Sequence, residues 1–328
     1  MKAILIGENK ALTWSDVPDP VIREDEVLVK IHAAALNRAD LLQREGKYPP
    51  PPGCPDWMGL EISGTVAEIG SRVTRWQIGD RVCALLGGGG YAEYAAVQES
   101  MLMPIPAGLS FTEAAALPEA FATSYLNLFI EGHLQAGQTA FIPAGSSGLA
   151  SVAIPLAKAF GARVITTVRA AATAECIRGL GADVIINTKA EDPADYFRAE
   201  EQSGSPVSVA MDCVAGEMIG KCLPYMARGG YWVLIATLSG TETEIPLRSL
   251  LTRGLHLVGS TLRSRAPEFK AQLLAELVEK VWPLIESGAV RPSIWKVLPI
   301  TQAEEAHAIL QRNENIGKVV LSVAAEAN

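Results

Sequence analysis

A short segment rich in glycine and serine has the composition of a phosphate-binding turn. The segment Ala144-Gly145-Ser146-Ser147-Gly148 follows an apolar run that predicts a strand and precedes an alanine-rich run that predicts a helix. Gly145 can make the tight turn, Gly148 lets the backbone approach a pyrophosphate, and free amides at the helix start attract an anion. Any tight turn favours glycine, so the surrounding alternation of strands and helices is what makes this segment a predicted dinucleotide site.

The residue after the next apolar strand predicts which dinucleotide is bound. Enzymes that use NAD carry Asp or Glu roughly 20 residues past the glycine turn, where the carboxylate binds a ribose hydroxyl. This chain has Arg169 in that region. A guanidinium can bind the 2′-phosphate of NADPH through paired, charge-assisted hydrogen bonds, whereas a carboxylate would repel it. Arg169 therefore favours NADPH, with NADH as the other cofactor; the alternative is that Arg169 is a solvated surface residue.

The histidines and cysteines share no motif that would carry chemistry. The chain has four histidines and five cysteines, and none of them has the spacing of a metal or redox motif. We expect structural roles for the histidines and free, mostly buried thiols for the cysteines. These residues are His32, His133, His256, His307, Cys54, Cys83, Cys176, Cys213 and Cys222. Reducing electrons are therefore expected from a bound cofactor.

Apolar strands alternate with helical segments through the middle of the chain. Such alternation predicts right-handed β-α-β units and a parallel sheet covered on both faces. The predicted strands are 139–143, 164–168, 184–187, 207–214, 231–236 and 256–259. This region is therefore predicted to be α/β, with a doubly wound parallel sheet of the Rossmann type. Pro155, inside the helix after the glycine turn, is expected to kink that helix.

The first third of the chain and its last part show a different pattern. Short strands separated by Gly, Pro and Asp turns predict a mainly β, barrel-like domain. These strands are 2–6, 26–33, 62–69, 81–86 and 91–97, followed by helices 112–116 and 121–131 and, at the end, helix 267–287, a segment 290–299, a short helix and strand 318–323. We predict a discontinuous domain of residues 1–120 and 264–328, and a dinucleotide-binding domain of residues 121–263.

The bulk composition is that of an ordinary globular protein. Hydrophobic residues make up 49% and charged residues 20%, with a formal net charge of -8. That charge argues against a nucleic-acid binder, because such a protein needs a basic field to displace phosphate counterions. The apolar runs are too short for a membrane span, and the apolar start is too short for a signal peptide. We expect a cytoplasmic protein that binds neither nucleic acid nor membrane.

Several further segments, present together and in order, resemble the quinone oxidoreductase and zeta-crystallin branch of the medium-chain dehydrogenase/reductase superfamily. The resemblance covers essentially the whole chain and points to the subgroup related to the stress-inducible human quinone oxidoreductase. The segments are 35–41, 46–53, 59–64, 78–82, 144–148, 259–265 and 315–321. The resemblance implies that the discontinuous, mainly β domain is a GroES-like catalytic domain.

The resemblance also implies that no metal ion takes part. Zinc-dependent relatives carry a Cys where this chain has Asn37 and a His where it has Leu60. Neither Asn nor Leu can replace those ligands at a tetrahedral zinc site. The four-cysteine lobe that such relatives carry after the region of Gly90 is missing as well. Glu61 is then expected to be a structural hydrogen-bonding residue.

The same resemblance assigns roles to individual residues. Asn37, Tyr48 and Ser147 are expected to be catalytic, with Asn37 at the nicotinamide end, Tyr48 near the substrate and Ser147 near both. The alternatives are that Tyr48 only packs on the prolines that follow it and that Ser147 only caps the helix. The expected cofactor-binding residues are Asn37, Thr123, Gly145, Ser146, Ser147, Gly148, Leu149, Arg169, Asn187, Leu238, Asn315, Gly317 and Lys318.

Three positions depart from the pattern of the family. Ala150 replaces a glycine, so the helix and the strand must part slightly to admit its methyl group. Many relatives carry a Lys and a Tyr that bind the NADPH phosphate or adenosine where this chain has Thr173 and Thr188. Arg169 is then left to bind the phosphate nearly alone.

The activity that the resemblance implies is NADPH-dependent reduction of quinones. Quinone reduction needs no strong general acid, and Tyr48 can donate a hydrogen bond to the carbonyl oxygen as negative charge develops. Two alternatives stay open: reduction of the carbon-carbon double bond of an enone, with Tyr48 as proton donor, and a cofactor-binding protein with little turnover. Relatives usually pair through the last strand of the cofactor domain, here 256–259, so a homodimer is expected.

Overall fold

Two units of the chain each form around their own principal sheet in the computed structural model, which describes residues 1–323. Unit 1 comprises Met1–Ala122, Arg263–Gly288 and the residues from Pro292 onward, and unit 2 comprises Thr123–Leu262 and Ala289–Arg291. The assignment of these regions as catalytic and dinucleotide-binding domains stays a prediction. Within residues 1–323, no helix is long and apolar enough to cross a membrane.

Short strands that end at turns build the first part of the chain. In chain order its elements are β1 (Lys2–Ile6), β2 (Leu12–Asp16), β3 (Glu26–Ala35), α1 (Arg38–Arg44), β4 (Glu61–Ile69), β5 (Arg81–Leu85), β6 (Tyr94–Gln98), β7 (Leu102–Pro104), α2 (Phe111–Ala115) and α3 (Pro118–Tyr125). A π-helical segment, Leu126–Ile130, follows α3 directly. Helix α2 begins at a capping box, in which Ser110 and Glu113 each bind the other's backbone amide.

Parallel strands alternate with helices in the middle of the chain. The elements are β8 (Thr139–Ile142), α4 (Ala150–Ala159), β9 (Arg163–Val168), α5 (Ala174–Gly179), β10 (Val184–Asn187), α6 (Pro193–Gln202), β11 (Val207–Asp212), α7 (Glu217–Cys222), β12 (Tyr231–Leu234), α8 (Leu247–Arg253) and β13 (His256–Gly259). Helix α6 begins at Asp192, whose carboxylate accepts from the Ala194 amide, and Pro193 follows as its first residue.

The last part of the chain returns to unit 1. Its elements are α9 (Pro267–Lys280), α10 (Trp282–Glu286), β14 (Ile294–Pro299), α11 (Ala303–Arg312) and β15 (Lys318–Ser322). Strand β15 pairs antiparallel with β3, with Val320 opposite Ala35. The larger sheet of unit 1 therefore combines strands from the first part and the last part of the chain, in the order β14-β15-β3-β4-β5-β7, with β6 also paired to β3, while β1 and β2 pair only with each other.

The sheet of unit 2 has the strand order β10-β9-β8-β11-β12-β13, and all its strands are parallel. The chain leaves β8 toward β9 on one side and later returns to place β11 on the other side. A crevice outside the carboxyl ends of the strands at such a switch point is where doubly wound sheets bind ligands. Buried aromatic side chains, including Phe141, Phe197 and Trp232, fill the core of this unit.

The predicted fold class is confirmed: a doubly wound Rossmann-type sheet accompanies a mainly β, GroES-like unit. Strands β1, β10 and β13 have the predicted bounds, whereas β2 and β7 were not predicted. The prediction of a single helix over 267–287 is wrong, because the helix is interrupted at Val281, between α9 and α10. Pro283 lacks the amide hydrogen needed to continue α9. Helix α4 continues through Pro155 without a break.

Candidate active site

The glycine-rich turn of unit 2 is held against the neighbouring strand β9. The amide of Gly145 donates to the carbonyl oxygen of Thr167 at 2.8 Å, and the amide of Ala144 donates to the Thr167 hydroxyl at 3.0 Å. A side chain at Gly145 would place its Cβ 2.6 Å from Oγ1 of Thr166. Gly145 is therefore required by the close approach of the turn to β9.

The turn leaves amides available for an anion at the start of α4. The amides of Ser146, Gly148 and Leu149 donate to no acceptor within residues 1–323. Unpaired amides at a helix start, together with the positive end of the helix dipole, bind phosphate groups. These three amides fit the pyrophosphate of a nicotinamide dinucleotide.

Ser147 caps the helix that follows the turn. Its Oγ accepts a hydrogen bond from the Ala150 amide at 3.1 Å, which satisfies one of the free donors at the helix start. The capping role that the sequence left as an alternative is therefore present. Accepting this bond leaves the hydroxyl hydrogen of Ser147 for another acceptor, so the predicted catalytic role stays a prediction.

Gly145→Ala is expected to weaken cofactor binding and stability together. The added methyl group must displace the turn or Thr166, at a cost of about 1–3 kcal/mol in the free energy of unfolding. Displaced amides should raise the Kd for NADPH about tenfold, measured by fluorescence titration. Gly179→Ala is the matched control, because no atom lies within 4 Å of its Cβ position. Equal Kd values for wild type and Gly145→Ala would contradict the assignment of the turn.

Arg169 and Asn187 lie at the carboxyl ends of adjacent strands. Asn187 of β10 stands opposite Val168 of β9, and Arg169 follows Val168 directly. The Arg169 side chain is exposed and has no hydrogen-bond or ion-pair partner within residues 1–323. The Asn187 carboxamide oxygen accepts from the Lys189 amide at 3.2 Å, which fixes the turn after β10. An unengaged guanidinium at this edge is accessible to a phosphate.

A cavity of about 280 Å³ lies in unit 2 beside the carboxyl ends of β12 and β13. Residues 234–237 and 259–261 line it. The Oγ of Ser260 is buried and has no partner within residues 1–323, although buried hydroxyl groups usually form a hydrogen bond. Leu238, an expected cofactor-binding residue, follows these lining residues in sequence and is 51% exposed. At Thr123, another expected cofactor-binding residue, the carbonyl oxygen accepts a hydrogen bond from the Asn127 Nδ2 at 2.7 Å. Sequence reasoning gave Ser260 no role, although it lies in the segment 259–265 that carries the family resemblance.

Asn37, Glu61 and Lys318 form a buried polar cluster in unit 1. The Lys318 Nζ lies 2.6 Å from Oε1 of Glu61 and donates to the Asn37 Oδ1 and the Leu36 carbonyl oxygen, each at 2.8 Å. The Asn37 Nδ2 donates to the same Glu61 oxygen at 3.0 Å. This geometry fixes the orientation of the Asn37 carboxamide, and Glu61 has the hydrogen-bonding position expected of it.

The ammonium of Lys318 is buried and contacts three oxygens of unit 1. Its three donors face the three oxygens of the cluster, and Lys318 is 3% exposed. The Lys318 side chain is thus paired inside unit 1, and its expected role in cofactor binding stays a prediction. Its contact with Oδ1 of Asn37 also helps to fix the orientation of the Asn37 carboxamide.

Asp40 contacts the same cluster through the backbone amide of Asn37. Its carboxylate accepts hydrogen bonds from the amides of Asn37 and Gly59 and from the Tyr91 hydroxyl. Burial raises the pKa of Asp40 to about 6, and these hydrogen bonds and the charge of Lys318 oppose that shift. Sequence reasoning missed Asp40, because its burial is visible only in the folded chain.

Tyr48 lies in a loop that contacts Arg263 and the glycines after β5. The guanidinium carbon of Arg263 lies 4.9 Å from the centre of the Tyr48 ring. The Tyr48 hydroxyl has no hydrogen-bond partner within residues 1–323. Burial and the charge of Glu119 raise the pKa of Tyr48, whereas the charge of Arg263 lowers it. The phenol is therefore protonated at neutral pH and available as a donor.

Asn315 and Gly317 shape the segment that leads into β15. The Asn315 Nδ2 donates to the Gly317 carbonyl oxygen at 2.7 Å. Gly317 has φ 106, and a Cβ there would lie 2.5 Å from the carbonyl oxygen of Ser293, so glycine is required. Their predicted roles in cofactor binding stay predictions.

The expectation of mostly buried thiols is wrong. All five cysteines are free, but only Cys83 and Cys222 are buried, while Cys176 is exposed. Within residues 1–323, no group of three or more His, Cys, Asp or Glu side chains is placed to hold a metal ion.

Comparison with curated proteins shows the family of the chain. A quinone oxidoreductase-like protein 2 homolog from Nematostella vectensis is 33% identical over 327 residues, which cover 95% of this chain and 88% of that protein. The chain belongs to the quinone oxidoreductase family. A quinone oxidoreductase from Mus musculus is 28% identical and covers 98% of this chain and 97% of its own length.

Domain profiles and solved structures extend this relationship. Residues 23–107 of this quinone oxidoreductase family member match the alcohol dehydrogenase GroES-like domain, and residues 148–279 match the zinc-binding dehydrogenase domain. A crystal structure titled NAD-dependent alcohol dehydrogenase superposes with a TM-score of 0.84 at 28% identity, covering 99% of this chain and 100% of that one. The chain is thus an oxidoreductase of the medium-chain dehydrogenase/reductase superfamily, with a fold that implies a nicotinamide cofactor.

Proposed function

We propose that the protein reduces quinones with NADPH and without a metal ion. The observation that carries this proposal is the Tyr48 phenol, which is protonated, has no partner within residues 1–323 and lies beside the Arg263 guanidinium. Such a donor can stabilise an oxyanion that develops on a carbonyl oxygen. The names of the curated relatives support quinones as the acceptors.

The residues of unit 2 fit the cofactor. Backbone amides of Ser146, Gly148 and Leu149 would hold its pyrophosphate, and Arg169 would pair with the 2′-phosphate. When bound, a reduced nicotinamide supplies a hydride, which carries two electrons. The remaining requirements are to orient the acceptor and to stabilise charge, and these fall to side chains of the protein.

The side chains of unit 1 would act on the acceptor. Tyr48 would donate its hydrogen bond to the carbonyl oxygen as negative charge grows there, and it would keep its own proton. The Asn37 carboxamide is held in one orientation by Lys318 and Glu61, so little entropy would be lost when it contacts a ligand. The proton that completes the hydroquinone would come from water.

Arg169→Ala is expected to change the preference between the two cofactors. Loss of a charge-assisted pair of about 2 kcal/mol should raise the KM for NADPH about 30-fold while the KM for NADH stays nearly unchanged. Steady-state kinetics with both cofactors measure the ratio. Arg178→Ala is the control, because Arg178 is an exposed arginine of the neighbouring helix α5. Equal changes for NADPH and NADH would refute the assignment.

Reduction of enones is the second candidate. The Tyr48 hydroxyl, which has no hydrogen-bond partner within residues 1–323, could pass its proton to the carbon next to an enone carbonyl. A screen of benzoquinones, naphthoquinones and enones with NADPH separates the candidates. Faster turnover of quinones supports the first, faster turnover of enones supports the second, and tight binding with neither supports a binding protein with little turnover.

We also propose a homodimer formed through β13. This strand is the edge of the sheet of unit 2, and its Leu257 is 41% exposed. An apolar open edge is a template for strand pairing with another chain. Leu257→Lys is expected to convert the dimer to a monomer in light-scattering measurements, whereas Val21→Lys, at an 88% exposed residue of unit 1, should not. A monomeric wild-type protein would contradict this proposal.

The cytoplasmic location expected from the sequence stays a prediction.

A further inference from the structure

Arg263 is a buried cation whose hydrogen bonds all go to neutral oxygens. Its side chain belongs to a residue that is 6% exposed. The guanidinium donates to the carbonyl oxygens of Gly87 and Tyr48 and to Oε1 of Gln43, at distances of 2.5–3.1 Å. These four bonds use four of its five N–H donors but leave its positive charge unneutralised.

The charge of Arg263 has no ion-pair partner in the part of the chain that the structure describes. No carboxylate within residues 1–323 lies within 4.0 Å of its guanidinium, whereas Lys318, the other buried cation of unit 1, lies 2.6 Å from Glu61. The Lys270 Nζ donates to the backbone carbonyl oxygen of Arg263 at 3.4 Å. The charges of Glu119 and Arg263 both act on Tyr48 and on Lys270, so a carboxylate lies in the neighbourhood of Arg263 without forming an ion pair with it. Buried charges are normally paired, so an unpaired one needs an explanation.

The unpaired charge lies against the aromatic ring of Tyr48. The guanidinium carbon is 4.9 Å from the ring centre, within the range of a cation–π contact. The same side chain binds the Tyr48 backbone through the carbonyl oxygen at 3.1 Å. Ring and backbone of this one residue are therefore both fixed by Arg263, which is 215 residues away in the chain.

Further hydrogen bonds hold the end of the loop that contains Tyr48. The Trp57 Nε1 donates to the Gly89 carbonyl oxygen at 3.0 Å, and the Gly89 amide donates to the Trp57 carbonyl oxygen at 2.9 Å. The carboxamide of Gln43, which accepts from Arg263, donates to the Asp56 carbonyl oxygen at 2.9 Å. The loop would keep several of these bonds without a charge on Arg263, so fixing the loop does not by itself explain the charge.

We propose that Arg263 is a positioning residue for Tyr48 whose unpaired charge favours acceptors that become oxyanions at the Tyr48 hydroxyl. This inference rests on the proposed role of Tyr48 at the substrate. Transfer of a hydride to one carbonyl oxygen of a quinone would break a C–H bond of the reduced nicotinamide, form one O–H bond and leave a single negative charge, as an aryloxide, on the other oxygen. A cation behind the phenol stabilises that charge, and water then supplies one proton to give the hydroquinone.

The charge of Arg263 should affect the affinity for anionic ligands as well as the rate of turnover. An aryloxide such as 4-nitrophenolate resembles the product anion, and its methyl ether, 4-nitroanisole, has nearly the same shape without the charge. For a unit charge about 7 Å away at an effective dielectric constant of about 20, the wild type should prefer the phenolate by about 10- to 50-fold. This preference can be measured as a ratio of dissociation constants in the presence of NADPH, without any turnover.

Three variants test the proposal. Arg263→Met removes the charge and should lower kcat for quinones about 10- to 50-fold, with a nearly unchanged KM for NADPH and loss of the phenolate preference. Arg263→Lys keeps the charge and should retain that preference. It therefore tests the proposal even if Arg263→Met does not fold. Arg81→Met is the control, because Arg81 makes a similar contact, 4.5 Å over the Phe111 ring, elsewhere in unit 1.

Two outcomes would overturn the proposal. One is a folded Arg263→Met protein that keeps the phenolate preference, because Arg263 would then only support the loop. The other is an Arg263→Lys protein that loses the preference although it folds and binds NADPH. Failure of the proposed function has a different signature: the wild type would not turn over quinones, whatever ratio of phenolate to ether it shows.

Discussion

Tyr48→Phe is expected to lower kcat for quinone reduction about 100-fold. The change removes only the hydroxyl, which has no partner within residues 1–323, so the fold should lose little. Removal of one oxyanion donor from an enzyme typically costs two to three orders of magnitude in kcat, about 2.7–4 kcal/mol. Stopped-flow measurement of NADPH oxidation under single-turnover conditions would isolate the chemical step from product release.

The matched control is Tyr94→Phe, which removes a hydroxyl from β6 of the same unit. It should leave kcat unchanged. The Kd for NADPH should also be the same in wild type and in Tyr48→Phe. An unchanged kcat in Tyr48→Phe would support the alternative in which Tyr48 only packs on the prolines that follow it.

Lys318→Met is expected to lower the free energy of unfolding by about 3–5 kcal/mol. Removing one partner of a buried ion pair leaves the other charge unpaired in a medium of low dielectric constant. Glu61 is fully buried and would lose the ammonium 2.6 Å away. Urea denaturation followed by circular dichroism measures the loss.

The double variant Lys318→Met, Glu61→Gln tests the cause of that loss. It removes both charges and should recover part of the lost stability, because no unpaired carboxylate remains. Lys221→Met is the control, because its ion pair with Glu217 is exposed and should contribute less than about 1 kcal/mol. A stable Lys318→Met protein with weakened NADPH binding would instead support the cofactor-binding role predicted from sequence.

Features set by local sequence were predictable. The glycine turn with its flanking strand and helix, and the strands β10 and β13, follow from composition within short windows. Strand β7 was missed because it has three residues and exists only through pairing with β5. The break between α9 and α10 could have been predicted, since Pro283 cannot continue the preceding helix.

Features of the candidate site that depend on burial were not predictable. Arg263 reaches Gly87 and Gln43 across 176 and 220 residues of sequence, and no pattern in the chain relates them. The raised pKa of Asp40 comes from its burial, and its type and neighbours in sequence do not indicate that burial. Asn37 was found through family resemblance, but its orientation by Lys318 became visible only in the structure.

The most direct test of the account is the rate of NADPH oxidation by a naphthoquinone in the presence of a metal chelator, with NADH measured alongside. If the protein reduces quinones with NADPH and without a metal ion, NADPH is oxidised rapidly, the chelator does not lower the rate, and NADH is oxidised more slowly. Loss of the rate on chelation, or no acceleration by any quinone, would contradict the central claim.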